Sequence, residues 1–188
     1  MDEYYYEILR RISLSMFRKE LFGIFHGSIS AKVKDNQFII NKKNAIFDSL
    51  GLDDFVALFA KKDYRWEEAS IDSDIHLNIY KNIKEAKFVA YAMPPYLLAY
   101  TLEHDFIIPR DYYGATIIKR LEIYDPKNYD DWHDRAPHEI YNYMMSENSD
   151  IIVVRGYGVF AYARSAQSLA KKIAVLENSC ELLLLNHN

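Results

Sequence analysis

The sequence predicts a layered α/β fold whose sheet is not wholly parallel. Amphipathic helical stretches alternate with short apolar runs, two early runs lie close enough to form a hairpin, and the later runs are continuously apolar, as buried strands are. At 188 residues the chain has the size of one ordinary domain. No repeat, low-complexity tract or linker divides it, so residues 1–188 are expected to form one domain.

Apolar residues at Ile8, Ile12 and Met16, with Leu9, Phe17 and Leu21 beside them, repeat every three to four positions. They predict a helix over about residues 3–22, ended by Gly23. Residues 28–33 and 37–40 read as strands, and Lys34-Asp35-Asn36 between them suits a hairpin turn. Leu52-Asp53-Asp54 reads as a helical turn before a buried strand over 55–60. Ile71, Ile75, Ile79 and Ile83 form an i, i+4 stripe that predicts a helix over about 70–84, and 87–92 reads as the next strand.

Pro94-Pro95 suits the first turn of a helix running to about Glu103, because the missing amide would have no helical partner there. A loop through Pro109, an apolar segment at Ile117-Ile118 and a strand over 121–124 follow. Pro137 is expected to open a helix over about 137–147, and 150–154 reads as a buried strand. Gly156-Tyr157-Gly158 makes a sharp turn into residues 159–162. The last helix starts from a Ser165 cap and carries Leu169, Ile173, Leu176, Cys180 and Leu183 on its apolar side.

The composition excludes several classes. Half the residues are apolar and 27% are charged, which is not the balance of a disordered chain. The net charge of −4 and the scattered lysines argue against a nucleic-acid binder. Sixteen Tyr against six Gly argue against several glycine-rich phosphate loops. The single Cys180 has no internal disulfide partner and reads as a small core residue. No run approaches the length of a membrane span, and acids near the start replace the cationic stretch of a secretory leader. A cytoplasmic protein without membrane association is expected.

Six segments then fall in a telling order: Gly27-Ser-Ile-Ser30, Leu52-Asp-Asp-Phe-Val56, His76-Leu-Asn-Ile-Tyr80, Val89-Ala-Tyr-Ala-Met-Pro-Pro95, Val154-Arg-Gly-Tyr-Gly-Val159 and Leu176-Glu-Asn-Ser-Cys180. Their order and spacing resemble the class II aldolase/adducin domain family over nearly the whole chain. The resemblance implies a three-layer α/β/α domain with a mixed, largely antiparallel central sheet, commonly a homotetramer with sites between subunits. It also implies zinc held by three histidines, with a nearby acid as proton donor and acceptor, and aldol cleavage of a sugar phosphate.

Aligned on Pro94-Pro95, the two strand histidines of the family correspond to Tyr91 and Met93, and the turn histidine to Tyr157. Phenol and thioether are poor zinc ligands beside imidazole, so no metal and no other cofactor is expected. The family's acid falls at Asp72, which alternatively reads as a helix-start acid stabilised by capping. A proton-donating tyrosine of the family falls near Tyr112 and Tyr113. The phosphate-binding elements correspond to Ser28, Lys42, Lys43 and Ser70, where an anion could still be met. His76 matches a family position that is not a ligand and reads as a packed core residue. The cluster of Asp130, Asp131, His133, Asp134, His138 and Glu139 lacks the spacing that puts two imidazoles on one helical face and reads as a solvated loop.

Three functions are compatible with this pattern. The first is an oligomeric binding or scaffolding protein without zinc, self-associating as a tetramer. The second is a divalent-metal-dependent lyase acting on a sugar phosphate through a rebuilt site, with Asp72 as base and Tyr113 as acid. The third is a metal-free enzyme that uses tyrosine hydroxyls and the Lys42-Lys43 corner on an anionic small molecule.

Overall fold

The computed structural model describes residues 2–186. Met1, where the leader reading begins, lies outside the described residues. Helices α1 (Asp2–Arg18), α2 (Ser73–Asn82), α3 (Pro95–Glu103), α4 (Tyr112–Ile117), α5 (Trp132–Ser146) and α6 (Ala166–Leu185) pack on a single sheet. Its strands are β1 (Ser28–Lys34), β2 (Gln37–Asn41), β3 (Phe55–Phe59), β4 (Phe88–Ala92), β5 (Phe106–Ile107), β6 (Leu121–Tyr124), β7 (Ile151–Val154) and β8 (Gly158–Ala163). The order is β3-β2-β1-β4-β8-β7-β6-β5, and β6–β7 is the parallel pair in an otherwise antiparallel ladder.

The continuous apolar runs become strands with both faces buried. Ile29, Ala31, Ile39, Ala90, Ala92 and Val153 face a core shared with α1, α3 and α6. Phe38, Ile40, Val89, Tyr91, Ile152, Val154 and Phe160 face a second core shared with α2 and α5. Successive strand residues point to opposite faces, so each strand feeds both cores and the three-layer α/β/α arrangement follows. Cys180 is free and buried in the first core. Among the described residues no helix is long and apolar enough to cross a membrane.

Three segments differ from the sequence expectation. Helix α1 stops at Arg18, short of Gly23. Its end is closed by Glu20 at φ 58°, where the Glu20 amide donates to the Phe17 carbonyl and the Leu21 amide to the Met16 carbonyl. This is a Schellman closure without glycine. Second, the segment expected as a loop around Pro109 contains β5 and α4. Asp111 caps α4 by accepting the Gly114 amide at 2.8 Å, and Gly114 lets the helix press on α6, since a Cβ there would lie 2.2 Å from the Ser179 hydroxyl oxygen.

Third, α5 starts at Trp132, with Pro137 inside it and not at its head. Pro137 removes one amide from the helical ladder. Burial of Trp132, Ala136, Ile140 and Met144, an i, i+4 stripe, holds the helix through that loss. Asp134, His133, His138 and Glu139 therefore lie on a helix and not in a loop.

Candidate functional site

The antiparallel pairing brings the start of β1, the end of β2, the end of β4 and the turn before β8 to one end of the sheet. Ser28 pairs with Tyr91, and Tyr91 with Phe160. The N-terminal end of α2 meets the same edge. Between these ends lies a cavity of about 350 Å³. Its walls are Asn41 and Lys43 after β2, Ser70, Ile71 and Asp72 before α2, Tyr91 and Met93 at the end of β4, and Gly156 and Tyr157 in the turn. Phe25, His26 and Gly27 complete the mouth.

Of the positions singled out in the sequence, Lys43, Ser70, Asp72, Tyr91, Met93 and Tyr157 line this one cavity. Ser28 is fully buried behind it. Lys42 turns away to an ion pair with Glu68 at 3.1 Å. Tyr113 sits on α4, is 60% exposed and packs edge-on against Tyr112, outside this cavity.

Asp72 occupies the cap position of α2, yet its carboxyl makes no capping hydrogen bond. The capping hydrogen bond is thus absent, while the acid still stands at the N-terminal end of α2, where the helix macrodipole favours it. The side chain is 3% exposed, and Oδ1 has no hydrogen-bond partner among the described residues. Burial pushes its carboxyl up to about 6, against smaller opposing pulls from the Ser28 hydroxyl and the His133 charge. A buried carboxyl with an unpartnered oxygen, on a residue that lines a cavity, is costly for the fold and marks the residue as a candidate for function.

The tyrosines both line the cavity and fill space. The Tyr91 hydroxyl donates to the Tyr157 backbone carbonyl at 2.8 Å, and its ring stacks on Phe160 with centroids 4.7 Å apart. The Tyr157 ring leans on Tyr91 at 4.9 Å. Burial pushes both phenols well above the ordinary tyrosine range. They are therefore neutral groups at physiological pH. Among the described residues, no three His, Cys, Asp or Glu side chains come together as a potential metal-binding group.

Sequence reasoning passed over a polar cluster behind the cavity. His76 is fully buried, with Nε2 at 2.8 Å from the Ser28 hydroxyl oxygen and Nδ1 at 2.6 Å from that of Ser30. The Ser30 hydroxyl in turn lies 2.7 Å from the Tyr80 hydroxyl. The signal was present in the alternation of Ser28, Ile29, Ser30 and Ala31, which puts both serines on one face, and in the i, i+4 spacing of His76 and Tyr80.

A family model described as "Class II Aldolase and Adducin N-terminal domain" matches residues 7–184. No curated protein matches the sequence. Among solved structures, l-fuculose-1-phosphate aldolase from Thermus thermophilus superposes with a TM-score of 0.87 at 21% identity, over 100% of this chain and 97% of that one. An L-fuculose 1-phosphate aldolase gives 0.78 at 14% identity, over 98% and 86%. A sugar-phosphate aldolase from Thermotoga maritima gives 0.72 at 14% identity, over 98% and 94%. Likeness at these identities establishes the fold and leaves the reaction to the side chains of the site.

Proposed function

Since the chain belongs to the class II aldolase and adducin N-terminal domain family, we propose that it keeps the family's pocket without its zinc chemistry, as an oligomeric protein that binds a small, hydroxyl-bearing anion. The observation that carries this reading is Asp72, a buried carboxyl with one unpartnered oxygen at the wall of a cavity that Lys43 also lines. An ionised Asp72 accepts from a ligand hydroxyl, and Lys43 meets the anionic end.

The residues at the expected ligand positions do not fit zinc. Tyr91 already spends its hydroxyl hydrogen on a carbonyl, both phenols are held neutral, and the Met93 thioether is a soft, uncharged donor. No step through a metal is therefore assigned. Self-association is supported by Phe25 and Ile71, which are 60% and 65% exposed at the cavity mouth and would be covered by a second copy.

Calorimetry in the presence of a chelator tests the reading with glycerol 3-phosphate, glycerate, inorganic phosphate and glycerol. Binding is expected for a probe that carries both hydroxyl and charge, with glycerol inert, and is expected to weaken in Lys43→Ala. No binding of glycerol 3-phosphate or glycerate would overturn it.

A further inference from the structure

The turn that carries Tyr157 is fastened from outside the cavity. Arg155, Gly156 and Tyr157 connect β7 to β8, and Gly156 and Tyr157 line the cavity. The Arg155 guanidinium reaches the C-terminal end of α3. Its Nη1 donates to the Thr101 carbonyl at 2.6 Å and to the His104 carbonyl at 3.0 Å, and Nη2 donates to Asp105 Oδ1 at 2.6 Å. The next amide in the turn, that of Gly156, donates to the Thr101 hydroxyl oxygen at 3.0 Å. Thr101 is fully buried and gives its own hydroxyl hydrogen to the Leu98 carbonyl at 2.7 Å, so its oxygen is left as an acceptor for the turn.

The anchor is itself held at both ends. α3 has no basic residue in its last turn and no glycine after it, so Arg155 satisfies carbonyls that the helix leaves open. At the other end Pro94 and Pro95 supply no amide, and the Tyr96 and Leu97 amides donate to Glu177 of α6 at 3.0 and 2.7 Å. An acidic group at the N-terminal end and a guanidinium at the C-terminal end match the helix dipole. α3 therefore starts just after Met93 on one cavity wall and ends at the clamp that holds Tyr157 on another.

We propose that Arg155 and Thr101 are positioning residues, which fasten the turn to α3 and so hold Gly156 and Tyr157 as a preformed wall of the cavity. The guanidinium fork meets three acceptors at once, which an ammonium point charge does not. Two further bonds reach the turn: the Tyr129 hydroxyl donates to the Arg155 carbonyl, and the Tyr91 hydroxyl to the Tyr157 carbonyl. Both act on carbonyls, so neither replaces the Thr101 acceptor for the Gly156 amide. A preformed wall binds its ligand without first having to be ordered. The inference deepens the binding reading above and rests on it for its effect on affinity, whereas the fastening exists without ligand.

The experiment is nitrogen relaxation NMR of the unliganded full chain, on variants that denaturant unfolding shows to be folded. The Gly156 and Tyr157 amides are expected to have order parameters of about 0.85 in wild type and to fall towards about 0.6 in Arg155→Ala. Thr101→Val is expected to loosen the same amides, and Thr101→Ser, which keeps the hydroxyl, to leave them rigid. Amides that stay rigid in Arg155→Ala overturn the proposal. Where Arg155→Ala does not fold, the Thr101 pair decides, and equal order in Thr101→Val and wild type overturns it. Calorimetry with glycerol 3-phosphate supplies the second readout, with affinity expected to weaken about tenfold in the loosened variants and to be kept in Thr101→Ser. Unchanged affinity in a loosened variant overturns the role of the wall in binding. If wild type itself does not bind the probe, the binding reading fails, and the amide dynamics still decide the fastening.

Discussion

The Tyr91 hydroxyl donates to the backbone carbonyl of Tyr157 at 2.8 Å, joining two positions where the family resemblance places metal-binding histidines. The hydrogen bond ties the end of β4 to the turn before β8. Tyr91→Phe keeps the stacking on Phe160 and loses only the donor. The expected cost is about 1 kcal/mol in denaturant unfolding, with no change in bound metal.

Gly158 makes the close approach that this pairing needs. It sits at φ 145°, and a Cβ would lie 2.4 Å from the Ala92 carbonyl oxygen and 2.8 Å from the Tyr91 ring. Gly158→Ala is expected to destabilise by roughly 2 kcal/mol or more, read as a lower unfolding midpoint. A neutral substitution would show that the turn relaxes freely.

Asp72 sets stability against binding. Its folded pKa, raised from 3.8 to about 6, means that the folded state holds the proton over a window where the unfolded chain has released it. Stability falls as the pH rises through that window, by up to about 3 kcal/mol. Asp72→Asn is therefore expected to be more stable than wild type at pH 7 and to lose this fall. It is also expected to bind a hydroxylated anion about tenfold or more weakly, by calorimetry.

His76 acts in the opposite sense. Its imidazole is lowered from 6.5 to about 3 by burial, so the unfolded chain takes up a proton first as the pH drops. The contribution is complete above about 6.5 and is lost towards about 3, a change of up to about 5 kcal/mol. Between pH 4 and pH 6 the two slopes oppose each other and nearly cancel, so wild-type stability is expected to be almost flat there. In His76→Gln the His76 rise is removed and the Asp72 fall emerges, which chemical denaturation at several pH values would reveal.

The strands were legible because burial on both faces leaves uninterrupted apolar runs such as Ile151–Val154. The layering was legible in the alternation of amphipathic helical stretches with apolar runs, and the resemblance in motif order implied the three-layer arrangement. Helix α5 was misplaced because Pro137 reads locally as a start, whereas the stripe from Trp132 to Met144 decides the matter through tertiary packing. The end of α1 was misplaced because Glu20 adopts a backbone conformation that sequence reasoning reserves for glycine. At the site, the cavity residues were recognisable by alignment to motifs. The Ser28–His76–Ser30–Tyr80 cluster was not, because Ser28 and His76 are 48 residues apart and meet only through the packing of α2 on β1.

The most direct test of the central claim is the zinc content of the purified full chain after equilibrium dialysis against Zn²⁺ and then buffer. The account predicts no stoichiometric zinc, because Tyr91, Met93 and Tyr157 offer neutral phenols and a thioether where a stable site needs imidazole, thiolate or carboxylate. Stoichiometric zinc that is lost in the Asp72→Asn variant would contradict it.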